Sequence, residues 1–416
     1  MPQNPLLNRL MARRRLRVIT TPDGALDLQQ PVPPTTAVVR KPDKVRTPPR
    51  KRRVSTSPLG SDPEELLDQY QPDAVLVPLI QLLSSTKLGQ ASDLLGRGTY
   101  GSVYRLVKTP DWLPVVAAVK ALAYGRNNVY TSRVLDECHT TMRLCSLSGG
   151  HPHLVTAYGF QGGSDKVACA ALILELCSHG TLTQWLGSKQ LPVPVQEVAR
   201  QMASALAYCH RNGWAHCDLA PKNVLVHLYG RSSFVLKLCD FSSSIKIGLQ
   251  DRLMLTPRTM QTCPEDICSI SHRAPENLGA VILHRAKLWG MAEQLVMTSK
   301  VDAWALGIML VECALCNPNI TVPSQSPTVY QTFGLYLDLF GPPAAADWWV
   351  PTWIEKAGVK LPKSKDAGGD SESQMIWPHL SAALLDQPRI MAIVRKLLKW
   401  DPNKRLSVCA VDAALK

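Results

Sequence analysis

The sequence predicts an α+β chain of two lobes, strand-rich first and mainly helical after, preceded by a long basic tail. Three observations predict it. Residues 1–80 are rich in Pro, Thr and Arg, as in QQPVPPTTAVVRKPDKVRTPPRKRRVSTSPLG, and carry too little apolar surface to offset the entropy of ordering, so a disordered segment is expected. From about residue 89 short β-rich runs carrying glycines follow one another: LLGRGTYGSVYRLV, WLPVVAAVKAL and ALILELC, with one helical pattern, SRVLDECHTTMRLCSL, among them. Past Gly180 the periodicity turns helical, with Val195, Val198, Met202, Leu206 and Tyr208 recurring near the spacing of a helix face.

The tail explains the charge. The chain has 416 residues and a formal net charge of +13, and residues 1–60 hold 13 of the 46 Lys/Arg but only three of the 33 Asp/Glu. The rest of the chain carries 33 basic against 30 acidic groups, so the charge does not argue for nucleic-acid binding by the folded part. Within the tail, PPRKRRV (Pro48–Val54) reads either as a signal for a nuclear-import receptor or as a solvated basic run. Leu6–Ile19 is a candidate basic amphipathic helix, and Ser55 and Ser57 stand in a weak phosphorylation motif. Twelve scattered cysteines with no C-x-x-C pair read as buried free thiols in a reducing compartment. No secretory signal is read at the start, and uncharged apolar runs such as Val167–Leu174 are too short to span a bilayer. An intracellular protein is expected, in the nucleus, the cytoplasm or both.

The first strands carry Gly96, Gly98 and Gly101, with Leu95 before them, Thr99 and Tyr100 at the tip, and Val103 two residues after. A G-x-G-x-x-G alone is weak, because dinucleotide-binding folds place it between a strand and a helix. Here SVYRLV continues as a strand, and strand–turn–strand resembles the Gly-rich loop of protein kinases. Glycine lets backbone N–H groups approach phosphate oxygens closely, and Tyr100 would shield them from water. Lys120 ends the apolar strand VAAVK 19 residues after Gly101. A lysine ending a strand is ordinarily a solvated residue, but after such a loop it resembles the lysine that contacts the α- and β-phosphates while pairing with a helix carboxylate. Glu137 is the expected partner, with Asp136 the alternative. LILELCSHGTL resembles the hinge between kinase lobes. By that resemblance Leu174 is the gatekeeper, the backbone of Glu175 and Cys177 reads the adenine edge, and Val103, Ala118 and Leu225 sandwich the ring. Each of these alone is a plain core position.

HCDLAPKNVLV (His216–Val226) resembles the catalytic loop H-R-D-L-x-x-x-N with Cys217 in the place of arginine, and CDFSSS resembles D-F-G with Ser242 in the place of glycine. The resemblance implies Asp218 as catalytic base, Lys222 as a neutraliser of the γ-phosphate, and Asn223 and Asp240 as ligands of magnesium. A hairpin of two apolar strands between Asn223 and Asp240 would return the two ligands to one place. Cys217 cannot pair with a phosphate on the activation loop, so that mode of control is absent. Neither departure removes a catalytic group.

Lys222, four after Asp218, resembles the tyrosine-kinase loop, since Ala220 stands where serine/threonine kinases have lysine. Ser269, six before Pro275 of Ala274-Pro275-Glu276, falls where serine/threonine kinases carry a hydroxyl that contacts the catalytic Asp, and this favours serine/threonine specificity. Asp302, Trp304 and Gly307 resemble the D-x-W-x-x-G helix that anchors the catalytic loop, and WDPNKRLS resembles the closing D-P-x-x-R, so Arg405 is expected to pair with Glu276. The chain is thus similar to eukaryotic-type protein kinases, serine/threonine-like, over residues 89–416. The resemblance implies the bilobal protein-kinase fold, with an antiparallel β-rich N-lobe (89–176) and a mainly helical C-lobe (177–416), acting on protein substrates with ATP and Mg2+. The H-C-D and D-F-S pair is similar to kinases of large DNA viruses, herpesviruses in particular. The aromatics between Cys316 and Ile376, including DWWVPTW, read as core or as a partner-docking surface. A pseudokinase scaffold and a tyrosine-specific kinase are the alternatives; a small-molecule kinase would lack A-P-E and Arg405.

Overall fold

Alternation along GSVYRLV buries Tyr104 and Leu106 while Val103, Arg105 and Val107 stay half-buried, the signature of a strand with one face inward. This strand, β2 (Gly101–Val107), pairs antiparallel with β1 (Gln90–Gly98) and β3 (Ala117–Ala123). After α1 (Asn128–Cys145) come β4 (Ala157–Gln161) and β5 (Cys169–Glu175). The five strands form one antiparallel sheet in the order β1-β2-β3-β5-β4. β5 lies between two neighbours, and its run CAALIL is buried throughout, as a continuous apolar strand requires.

The structure is a computed structural model, and it describes residues 90–98, 101–107, 116–123, 128–146, 150–161, 169–188, 193–229, 233–253, 269–287, 297–318, 320, 328–341 and 376–416. The basic tail with Pro48–Val54, the loop tip Thr99–Tyr100 and the segment holding DWWVPTW lie outside the described residues.

The second lobe opens with α2 (Leu182–Ser188) and α3 (Val195–Arg211). α3 buries Val195, Val198, Met202 and Leu206, and leaves Tyr208 half-buried, as the helical spacing predicts. Two short pairs follow: β6 (Trp214–Ala215) with β9 (Ile245–Lys246), and the hairpin β7 (Val224–Tyr229) with β8 (Ser233–Leu238). The remaining helices are α4 (Pro275–Arg285), α5 (Lys300–Ala314), α6 (Val329–Phe340), α7 (Trp377–Ala383), α8 (Pro388–Leu397) and α9 (Val408–Leu415). No helix among the described residues is long and apolar enough to cross a membrane.

α5 is the axis of this lobe. Every residue from Val301 to Cys313 is buried, so the helix has neighbours on all sides. Trp304 meets the rings of Tyr336, Phe340 and Trp400 at centroid distances of 5.2, 5.8 and 5.9 Å. Phe333, Tyr336 and Phe340 of α6 are therefore core, and the capping box of Thr328 and Gln331 starts that helix. Gly307 lets α5 and α8 approach: a Cβ there would lie 2.8 Å from Leu398 Cδ2 and 3.1 Å from Leu397 Cβ.

Arg405 reaches from the connection between α8 and α9 to the start of α4. Its Nη1 and Nη2 donate to Glu276 Oε1 and Oε2 at 2.7 and 2.9 Å, and the side chains are 0% and 2% exposed. The remaining donors reach the carbonyls of Lys399, Lys300 and Trp400 at 2.9, 2.9 and 3.1 Å. A buried charge pair is stable only when its donors and acceptors are filled in this way.

Two stability outcomes are expected. Arg405→Met strands the Glu276 carboxylate and lowers stability by about 3–5 kcal/mol, whereas Arg405→Met with Glu276→Leu recovers much of that loss. Denaturant midpoints read both, and a double variant as unstable as the single one would contradict the account. Gly307→Ala overpacks the contact between α5 and α8 and costs about 1–3 kcal/mol, read as a lowered thermal midpoint.

Candidate active site

The strand pairing that builds the first lobe aligns one face of the site. Register sets Val103 opposite Lys120, and Ala118 opposite Leu174. Leu95 and Gly96 lie on β1, and Gly98 pairs with Gly101 across the turn. A Cβ on Gly96 would meet nothing within 4 Å, whereas one on Gly101 would collide with the backbone oxygen of Ala121. Gly96 thus keeps an open approach, as a phosphate loop needs, but Gly101 is demanded by packing on β3. That second reason is a fold constraint the motif did not reveal.

Lys120 is the first centre of charge. Its Nζ lies 2.6 Å from Glu137 Oε1 and 3.0 Å from Asp240 Oδ1. Glu137 is buried on α1, while Asp136 is exposed. Burial opposes the charge on Lys120, but the Asp240 and Glu137 carboxylates more than offset it and raise its pKa above the usual lysine range. Burial likewise works against Asp240, where the Lys120 ammonium and the Ser242 hydrogen bond prevail and hold the carboxyl well below its ordinary value. For Glu137, burial pushes the pKa up against the pull of Lys120.

The second centre is built from Asp302, at the start of α5. Its Oδ2 accepts the His216 amide at 2.8 Å, its Oδ1 accepts the Cys217 amide at 2.8 Å, and His210 Nε2 lies 2.7 Å from Oδ2. Burial raises the pKa of Asp302, and the His210 contact and the His216 amide lower it further than that, leaving it below the ordinary value. Held by this carboxylate, Cys217 adopts φ 62, in the left-handed region that non-glycine residues seldom occupy. Asp240 does the same at φ 66. Asp218, which follows Cys217, is nearly buried, and both its oxygens are engaged. Ser269 donates its backbone amide and its hydroxyl to Oδ1, the hydroxyl at 2.7 Å. Asn223 Nδ2 donates to Oδ2 at 2.9 Å, and Lys222 Nζ stands 3.7 Å from it.

Asn223 also donates Nδ2 to the Asp218 carbonyl at 2.8 Å, which turns its carboxamide oxygen the other way, as a metal ligand needs. Val224 pairs with Leu238 across the β7–β8 hairpin, and the Cys239 amide donates to the Asn223 carbonyl at 2.9 Å. Asn223 and Asp240 are therefore brought to neighbouring positions, as the sequence predicts. A carboxamide and a carboxylate are hard oxygen donors of the kind magnesium takes from protein, with phosphates and water completing its shell. The donor set fits Mg2+. Leu225 is half-buried on β7 and bridges Thr181, and Cys177 is half-buried just past β5.

Two pairs here were not foreseen. Glu175 Oε1 accepts the Thr156 amide at 2.9 Å and meets Lys237 Nζ at 2.8 Å. With the Val155 amide on the Leu238 carbonyl at 2.9 Å, this ties the end of the sheet to β8 of the other lobe. The second pair is His272 Nε2 with Glu312 Oε2 at 2.9 Å, both buried. A carboxylate inside the apolar run VDAWALGIMLVE was its one signal, because a buried acid needs a partner.

With this geometry in view, comparison with known proteins is specific. The human (Homo sapiens) serine/threonine-protein kinase ULK3 is 27% identical over 230 residues, 55% of this chain and 41% of that protein. The mouse (Mus musculus) serine/threonine-protein kinase Kist is 30% identical over 241 residues, 54% of this chain and 51% of that protein. Mouse NUAK family SNF1-like kinase 1 is 26% identical over 226 residues, 53% of this chain and 29% of that protein. The chain thus spans about half the length of these relatives or less. The family model for the protein kinase domain matches residues 90–414, from β1 to the end of α9, and the chain belongs to that family.

Proposed function

We propose that this chain is a serine/threonine-protein kinase that moves the γ-phosphate of Mg-ATP to a protein hydroxyl. The observation that carries the reading is the state of Asp218: one oxygen is held by Ser269 and the other by Asn223 and Lys222. A base oriented on both oxygens beside a cationic side chain suits the acceptance of a hydroxyl proton. In this reading Lys120, fixed by Glu137 and Asp240, would hold the α- and β-phosphates, and Leu95, Gly96, Gly98, Val103, Ala118, Glu175, Cys177 and Leu225 would contact the nucleotide. Thr99, Tyr100 and Gly101 complete the phosphate loop. Asn223 and Asp240 would hold Mg2+, which would neutralise phosphate charge. Lys222, 58% exposed, faces solvent where substrate charge arrives. The protein contributes positioning and electrostatics in place of covalent chemistry.

The departures from the family pattern concern control. Cys217 is buried and meets Asp302 through its amide, so activation-loop phosphate has no cation at that position. A viral source rests only on Cys217 and Ser242. Nuclear or cytoplasmic residence, and recognition of Pro48–Val54 by an import receptor, rest on the tail sequence.

Phosphate transfer from Mg-ATP to itself and to generic protein substrates, with phosphoamino-acid analysis, tests the proposal. The expected products are phosphoserine and phosphothreonine, and Asp218→Asn lowers the rate by about 10²–10⁴-fold while nucleotide binding persists. Phosphotyrosine would overturn the specificity. Transfer that is absent from wild type, or equal in the variant, would leave a nucleotide-binding scaffold. Lys120→Met removes the cation between two carboxylates and is expected to cost about 10²-fold in kcat or more, measured beside wild type at saturating ATP.

A further inference from the structure

Ser269 is the last residue before a single turn of 3-10 helix, Ile270–His272, and its two bonds to Asp218 depend on where that turn sits. The turn has little internal support: the His272 amide donates to the Ser269 carbonyl at 3.0 Å, and the Arg273 amide reaches the Ile270 carbonyl at 3.4 Å. Its placement comes from side chains. His272 Nε2 lies 2.9 Å from Glu312 Oε2 on α5, and His272 Nδ1 lies 2.9 Å from Ser271 Oγ. Tyr336 of α6 donates its hydroxyl to the Ser271 carbonyl at 2.8 Å. A carboxylate only accepts, so Nε2 carries a proton toward Glu312, while Nδ1 shares a hydrogen bond with the Ser271 hydroxyl. An imidazole serves both partners at once because its two nitrogens point to opposite sides of one rigid ring.

α5 carries both ends of this arrangement. Its first turn presents Asp302 to the backbone that precedes Asp218, and its last turn presents Glu312 to His272. The loop bearing the base and the turn bearing Ser269 are thereby registered on one buried helix.

We propose that His272 is a positioning residue for phosphoryl transfer: clamped between Glu312 and Ser271, its imidazole sets the turn that keeps Ser269 on Asp218. This rests on the reading of Asp218 as the base. His272 touches neither nucleotide nor substrate in this account, and it acts through Ser269. A displacement of the turn by about 1 Å is enough to cost about 10²-fold in rate, and it leaves the Lys120 cluster, which binds nucleotide, unmoved.

The test is steady-state kinetics on the full chain, with ATP affinity measured separately by a fluorescent ATP analogue. His272→Leu is expected to lower kcat about 10²-fold at unchanged KM for ATP. His272→Gln, whose carboxamide nitrogen can still donate to Glu312, should restore most of the rate. In a Ser269→Ala background, which removes the hydroxyl bond to Asp218 and keeps the amide bond, the His272→Leu change should cost less than in wild type, because part of the contact it acts through is already gone. Equal losses in both backgrounds, or a full rate in His272→Leu, would overturn the proposal. Where His272→Leu does not fold, Ser271→Ala decides, since it removes only the Oγ–Nδ1 bond: lowered kcat at constant KM for ATP supports positioning, and an unchanged kcat rejects it. Wild-type protein that transfers no phosphate removes the kinase reading and this role together, whereas an active wild type with indifferent variants removes this role alone.

Discussion

The carboxylate of Asp302 is the constraint on which the catalytic half depends. A charge buried at the start of α5 must find partners or be neutralised, and here it takes two consecutive backbone amides, those of His216 and Cys217, as well as His210. Two consecutive amides on one carboxylate fix the chain up to Cys217, and there a positive φ turns the backbone. The same turn projects Asp218 toward Asn223 and Ser269. The left-handed backbone at Cys217 thus follows directly on two amides anchored by a buried acid.

This explains how a cysteine stands in the catalytic loop without disturbing it. What the fold requires of position 217 is an amide and a left-handed backbone, and its side chain is buried. Position 242 is similar: Ser242 contributes its amide to Asp240 Oδ1 at 3.4 Å. At both positions the contact with a functional carboxylate runs through the main chain. Both departures are compatible with the contacts around Asp218 and Asp240.

Electrostatics divides the site into two parts. The Lys120 cluster opposes one ammonium to two carboxylates under burial, which favours the charged form of Lys120 and of Asp240. Around Asp218 the contacts are hydrogen bonds from Ser269 and Asn223, with Lys222 more distant and largely exposed. The β7–β8 hairpin joins the parts, since Asn223 and Cys239 meet at its open end.

Local patterns determined much of this protein. Helical spacing marked α3, an unbroken apolar run marked β5, and motif order singled out Lys120, Asp218, Asn223, Asp240 and the pair of Glu276 with Arg405. These were legible because each stands in a short motif whose chemistry demands particular residue types, and the Glu276–Arg405 pair, 129 residues apart, was named by two such motifs. Choosing Glu137 over Asp136 was not legible in this way: one residue is about 100° around a helix, and only the packing of α1 on the sheet decides which carboxylate meets Lys120. Nor were His272 with Glu312, or Lys237 with Glu175, since no motif names either partnership and any of several histidines or lysines would have served on composition alone. Gly101 carries the same lesson, because the atom that forbids its Cβ belongs to β3. The sequence by itself determined which groups the site contains; the tertiary structure decided which of them touch, because contact between distant segments is settled by the packing of whole elements around α5.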